Sequence, residues 1–98
     1  MMAVLPHVEG LYALHSADFA AARQFFLTAD ARLQVFASAQ PVIGVVIDVN
    51  RANLAIALSH LGDQAGARQQ FALARPRLVA LDSERVLRAV ERALSDRE

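Results

Sequence analysis

Three histidines, His7, His15 and His60, are the side chains of this chain best suited to move a proton or hold a metal near neutral pH. Two histidines that share a metal from one helix stand a turn apart, and no pair here does. With no cysteine, the chain has neither a thiolate ligand nor a cysteine nucleophile. Gly10, Gly44, Gly62 and Gly66 never cluster into a phosphate-binding loop, and the acidic residues are scattered. A catalytic centre needs nucleophile, base and oxyanion donors that converge. No such set is legible, so the chain reads as a binding protein rather than an enzyme, with no cofactor and no metal.

The elements that must position any site emerge when the chain is compared with itself. An offset of 45 aligns HSADFAAARQFFLTADARL, residues 15–33, with HLGDQAGARQQFALARPRL, residues 60–78, with ten identities in nineteen positions. Ala22, Phe26, Ala29 and Leu33 share one helical face in the first copy, as Ala67, Phe71, Ala74 and Leu78 do in the second. Ser16-Ala17-Asp18 and Leu61-Gly62-Asp63 precede these faces as turns, with Asp18 and Asp63 as helix caps. His15 and His60 end the preceding helices, where a hydrogen-bonding or cationic side chain suits the exposed carbonyls.

The fold class is therefore all-α, built from antiparallel helical hairpins. Five helices are expected, at about 5–16, 18–38, 41–61, 63–80 and 83–95. Pro6 and Pro41 suit first turns. Pro76 lies inside a periodic segment and is expected to kink or end its helix near Arg75. Asp82 and Ser83 offer a cap to a last helix carrying Val86, Leu87, Val90 and Leu94 on one side. The third helix, with Val42, Ile43, Val45, Val46, Ile47 and Val49, is apolar nearly all round, which predicts burial on more than one face and makes self-association into a homodimer one way to achieve it.

Composition narrows the partners. The 98 residues are 55% apolar, enough for one domain spanning residues 1–98 with its own core. Ten acidic residues balance ten basic ones, which disfavours nucleic acid as a partner. All ten basic residues are arginine, the usage of a GC-rich, bacterial genome; Arg68, Arg75, Arg77, Arg85, Arg88 and Arg92 are interspersed with Asp82, Glu84 and Glu91 as a solvated helix surface would be. The longest apolar stretch, Val42 to Val49, is interrupted by Asp48 and is too short to span a bilayer, and the amino terminus lacks a signal-peptide pattern. A cytoplasmic location is expected.

The second copy, NLAIALSHLGDQAGARQQFALA, resembles a tetratricopeptide repeat: Asn53-Leu54-Ala55 open it, Leu58 follows, Gly62-Asp63 form its turn, and Ala67, Phe71 and Ala74 take the packing positions. The first copy is similar through Gly10, Ala13, Ala17-Asp18-Phe19, Ala22, Phe26 and Ala29. Glu9 stands where the second copy has Leu54, and the offset of 45 exceeds the family's period of about 34, so the second and third helices lengthen by about one to two turns each. The resemblance, over residues 8–81, implies a right-handed superhelical array of two long-helix repeats, about 4–38 and 41–81, followed by a terminal helix. It also implies that a protein or peptide binds along a concave side formed by the first helix of each hairpin.

Carried across residue by residue, that side comprises His7, Leu11 and Leu14 from the first copy and Val49, Ala52, Asn53, Ile56 and Ser59 from the second. It is largely apolar and suits an amphipathic helix. Leu11, Leu14, Val49 and Ile56 are its expected hot spots. A carboxylate clamp of Asn50, Arg51 and Asn53 is the lesser option, because the first copy lacks matching basic residues. The alternative function is a regulatory domain that senses a small apolar ligand between its helices.

Overall fold

The computed structural model describes residues 5–37, 41–80 and 84–96. Within them the backbone forms α1 (Leu5–His15), α2 (Phe19–Ala37), α3 (Pro41–His60), α4 (Gln64–Ala80) and α5 (Glu84–Asp96), and no strand. Every expected helix is present, and every end falls within one residue of its expected position. Alanine, leucine, arginine and glutamine dominate α2 and α4, and these residues lose little rotamer freedom in a helix. The cap expected at Asp82 and Ser83, and the side chains of Val42, Leu78, Val86 and Leu87, lie outside the described residues.

The two turns share the same closing pair of bonds. Asp18 N–H donates to the Ala13 carbonyl at 2.9 Å and Ala17 N–H to that of Leu14 at 3.1 Å; 45 residues on, Asp63 N–H donates to Leu58 at 2.9 Å and Gly62 N–H to Ser59 at 3.1 Å. This pair of bonds is the Schellman ending of a helix, which requires a left-handed residue. Ala17 has φ 61° and Gly62 φ 89°. The next residue immediately caps the following helix, since Asp18 Oδ1 accepts from Ala21 N–H at 3.2 Å and Asp63 Oδ1 from Gly66 N–H at 2.9 Å. Each turn thus stops one helix and starts the next within a few residues, which holds the two helices close and antiparallel.

Consecutive helices pack in chain order, α1 on α2, α2 on α3 and α3 on α4, while α5 lies against both α3 and α4. One core cluster draws on all five helices through Ala13, Ala22, Phe26, Leu54, Ala57, Ala67, Phe71, Ala74 and Val90. A second joins Ala29 and Leu33 of α2 to Ile43 and Ile47 of α3. Phe26, Leu33 and Leu54 are wholly enclosed. Each contributes roughly 1.5–3 kcal/mol by leaving water.

Of the described side chains of α3, only His60 is exposed. The all-round apolar character of this helix is met within the chain by α2, α4 and α5, so self-association is not needed to bury it.

Pro76 lies inside α4, as the expected bounds of about 63–80 place it. The α4 helix neither ends nor breaks there but runs on to Ala80. Ala72, whose carbonyl loses its helical donor to the proline, and Pro76 itself are both on the exposed side, where water can replace the lost hydrogen bond.

Candidate interaction surface

The eight residues expected to line a concave groove divide sharply by environment. Ala52 and Ser59 have no exposed surface, and His7 is buried. Ser59 Oγ donates to the Ala93 carbonyl of α5 at 2.9 Å and accepts from Gln64 Nε2 at 3.2 Å, tying α3 to the start of α4 and to the terminal helix. Asn53 Nδ2 donates to the Val49 carbonyl of its own helix at 3.0 Å. Leu11, Leu14, Val49 and Ile56 are half-buried and pack against the main core cluster. These four, with part of Asn53, are what remains accessible of the expected groove.

His7 belongs to a buried polar chain instead. Its Nδ1 lies 2.9 Å from Asn50 Oδ1, and Asn50 Nδ2 donates to the Phe26 carbonyl at 2.8 Å. A backbone carbonyl can only accept, so the Asn50 amide nitrogen must point at Phe26, its oxygen must face His7, and His7 Nδ1 must carry the proton. The His7 ring also packs on Phe26, with centroids 5.9 Å apart. Three helices, α1, α3 and α2, are pinned by this one chain of contacts.

A carboxylate clamp cannot form at Asn50, Arg51 and Asn53. Asn50 is fully buried with both ends of its amide engaged, and Arg51 Nε stands 3.3 Å from Asp30 Oδ1. That ion pair is not aligned for hydrogen bonding, which leaves both atoms without a hydrogen-bond partner. The paired histidines at the helix ends, His15 and His60, are both exposed, and His60 stacks on Phe19 with centroids 4.1 Å apart and planes 3° from parallel. Among the described residues no group of three His, Asp or Glu side chains could hold a metal, and no helix is long and apolar enough to cross a membrane.

Exposed apolar residues beside a cleft lie elsewhere, on the outer face of the first hairpin; Leu27, Val35, Phe36, Leu61 and Leu73 are exposed at other places. The α1 helix turns Pro6, Gly10 and Ala13 inward, and Gly10 sits so close to α2 that an added Cβ would fall 2.5 Å from Cε1 of Phe26. This close approach presents Leu5, Val8 and Tyr12 outward at 49%, 53% and 77% exposure. Between α1 and α2 runs a cleft of about 370 Å³ with an apolar floor of Val8, Tyr12, Ala13, Ala21 and Phe25. Glu9 and Asp18 are the charged residues that line it.

The internal repeat explains why this face is bare. Leu5, Glu9 and Tyr12 correspond at the offset of 45 to Asn50, Leu54 and Ala57. All three of the latter are completely buried, and Asn50 reaches directly to the α2 backbone. In the second hairpin, then, this stripe meets the helix that precedes it; in the first hairpin the described residues provide no such helix. The family resemblance points to a different side of α1, where Leu11 and Leu14 lie, and not to this stripe. Its signal was present, since Leu5, Val8 and Tyr12 recur at helical spacing on a side of α1 that Leu11 and Leu14 do not use.

Comparison with protein families, with curated proteins and with solved structures gave no match.

Proposed function

We propose that this chain is a protein-interaction module, a tetratricopeptide-like pair of helical hairpins in a right-handed superhelical array, with α5 packed on the second hairpin and an exposed apolar face on α1. Its mechanism is the burial of apolar surface on a partner polypeptide. The observation that carries this reading is the contrast between α5 and α1. In α5, Val90 and Leu94 pack on the core, while Arg88, Glu91, Arg92 and Ser95 face outward and give the helix a polar outer side. In α1, Leu5, Val8 and Tyr12 stand in water. Exposed apolar groups gathered beside a cleft mark a site of association more often than scattered ones do.

A small apolar ligand is supported less well. The cleft volume lies within the range of about 300–1,000 Å³ typical of ligand sites, but such sites enclose most of their ligand. With 77% of Tyr12 exposed, this one is a trough rather than a pocket.

Site-specific photo-crosslinking in the native host tests the proposal. A benzophenone side chain in place of Tyr12 should trap a discrete partner, and the same group in place of the exposed Gln69 on α4 should not. Equal labelling from both positions, or none from position 12, would rule this face out as the interaction surface.

A further inference from the structure

We infer that the cleft on the first hairpin accepts an amphipathic helix whose apolar stripe is flanked by basic residues, laid antiparallel to α1 as α2 is laid against α3. This rests on the interaction-module reading and adds to it the shape and charge of the partner. The shape follows from the repeat. Asn50 bonds to the α2 backbone, and Leu54 and Ala57 follow it at helical spacing on the same buried stripe of α3; α2 joins α3 through residues 38–40, too short for any but an antiparallel course. Leu5, Glu9 and Tyr12 repeat that stripe one hairpin earlier. The chain therefore demonstrates what kind of element covers this surface: a single helix, crossing along the length of the stripe.

The charge follows from the rim. Both charged residues that line the cleft, Glu9 and Asp18, are acidic, and both are exposed. Leu54, the repeat counterpart of Glu9, is fully buried, so Glu9 places a carboxylate where the second hairpin has an enclosed apolar side chain. An incoming helix must meet that carboxylate, and arginine or lysine beside its apolar stripe does so with complementary charge.

A second copy of this chain fits less well. A two-fold contact would set Glu9 and Asp18 against their own equivalents, like against like. The outward side chains of Leu5, Val8, Tyr12 and Phe25 also present only a few hundred Å². A stable dimer needs roughly 800 Å² from each partner.

Tyr12 is the chain's only tyrosine and there is no tryptophan, so its fluorescence reports on this face alone. The probe is a synthetic helical peptide of about 20 residues, with a leucine and alanine stripe flanked by arginines and no aromatic residue, long enough to cover a helix of α1's length. Added to the full chain at low salt, it should shield Tyr12 from iodide quenching and bind about fivefold to tenfold more tightly than the same peptide with glutamates for arginines. Glu9→Arg, an exposed change checked for unaltered helicity, should shrink that preference to about twofold or less. Equal binding of both peptides overturns the charge assignment. Shielding that grows with protein concentration and no peptide makes a second copy the occupant, which overturns this inference and leaves the interaction surface standing. If neither peptide shields Tyr12 while position 12 still crosslinks a partner, the helix assignment fails alone; if crosslinking is silent as well, both fall.

Discussion

Asn50 accepts a hydrogen bond from His7 across 2.9 Å, although 43 residues separate them in the chain. The contact makes a histidine at the start of α1 part of the interior of α3, and through the second half of the amide it reaches the Phe26 carbonyl on α2. A polar chain so enclosed costs little while complete and a good deal when broken.

Asn50→Ala should therefore destabilise the fold by about 2–3 kcal/mol, from a small cavity and an unsatisfied His7 N–H. Replacing both partners, His7→Phe with Asn50→Leu, should cost less than half as much, because no buried donor is then stranded. Urea unfolding followed by circular dichroism at 222 nm measures both. A single variant no worse than the double one would show that the hydrogen bond does not hold the hairpins together.

The two turns offer a matched experiment, because Ala17 and Gly62 do the same work with different residues. Alanine in the left-handed region is strained, and glycine is not. Ala17→Gly should raise stability by about 0.5–1 kcal/mol, after the greater freedom of glycine in the unfolded chain is set against the relief of strain. Gly62→Ala should lower it by about 1 kcal/mol, purely through the backbone, since an added Cβ there meets nothing within 4 Å. Thermal melting of the two variants should move in opposite directions.

Gly10 is constrained by space rather than by conformation. Gly10→Ala should cost about 1–3 kcal/mol, because the new methyl meets the Phe26 ring and one of the helices must shift. Combining it with Phe26→Leu should give a total smaller than the sum of the two single losses, a coupling readable in a double-mutant cycle. Strict additivity would mean that the two side chains do not compete for the same volume.

Pro76→Ala should stabilise the protein by about 1–2 kcal/mol, restoring a helical hydrogen bond to the Ala72 carbonyl at the expense of the rigidity that proline gives the unfolded chain. Helicity should be unchanged or slightly higher. A loss of stability would show that the proline is needed where it stands.

Much of this molecule was legible without coordinates. The helix bounds, the paired turns and the Asp18 and Asp63 caps depend on interactions within a few residues, so the local sequence carries them. The internal repeat told which residues are structurally equivalent. The central position of α3 followed from an apolar surface too wide for one neighbour. At Pro76 the helix continues to Ala80, and water on the exposed side of α4 lessens the local cost of the proline.

Equivalence in sequence did not decide equivalence in exposure. His7, Ala52 and Ser59 were sorted onto a groove by repeat position, yet whether such a side chain meets solvent depends on what lies across from it. For Ser59 that is the Ala93 carbonyl of α5, and for His7 it is Asn50 of α3, both far along the chain. Likewise Tyr12 and Ala57 hold the same place in successive hairpins, and only the second has a preceding helix among the described residues to cover it. Local periodicity determines which face of a helix is apolar; only long-range packing decides which apolar face is left for a partner.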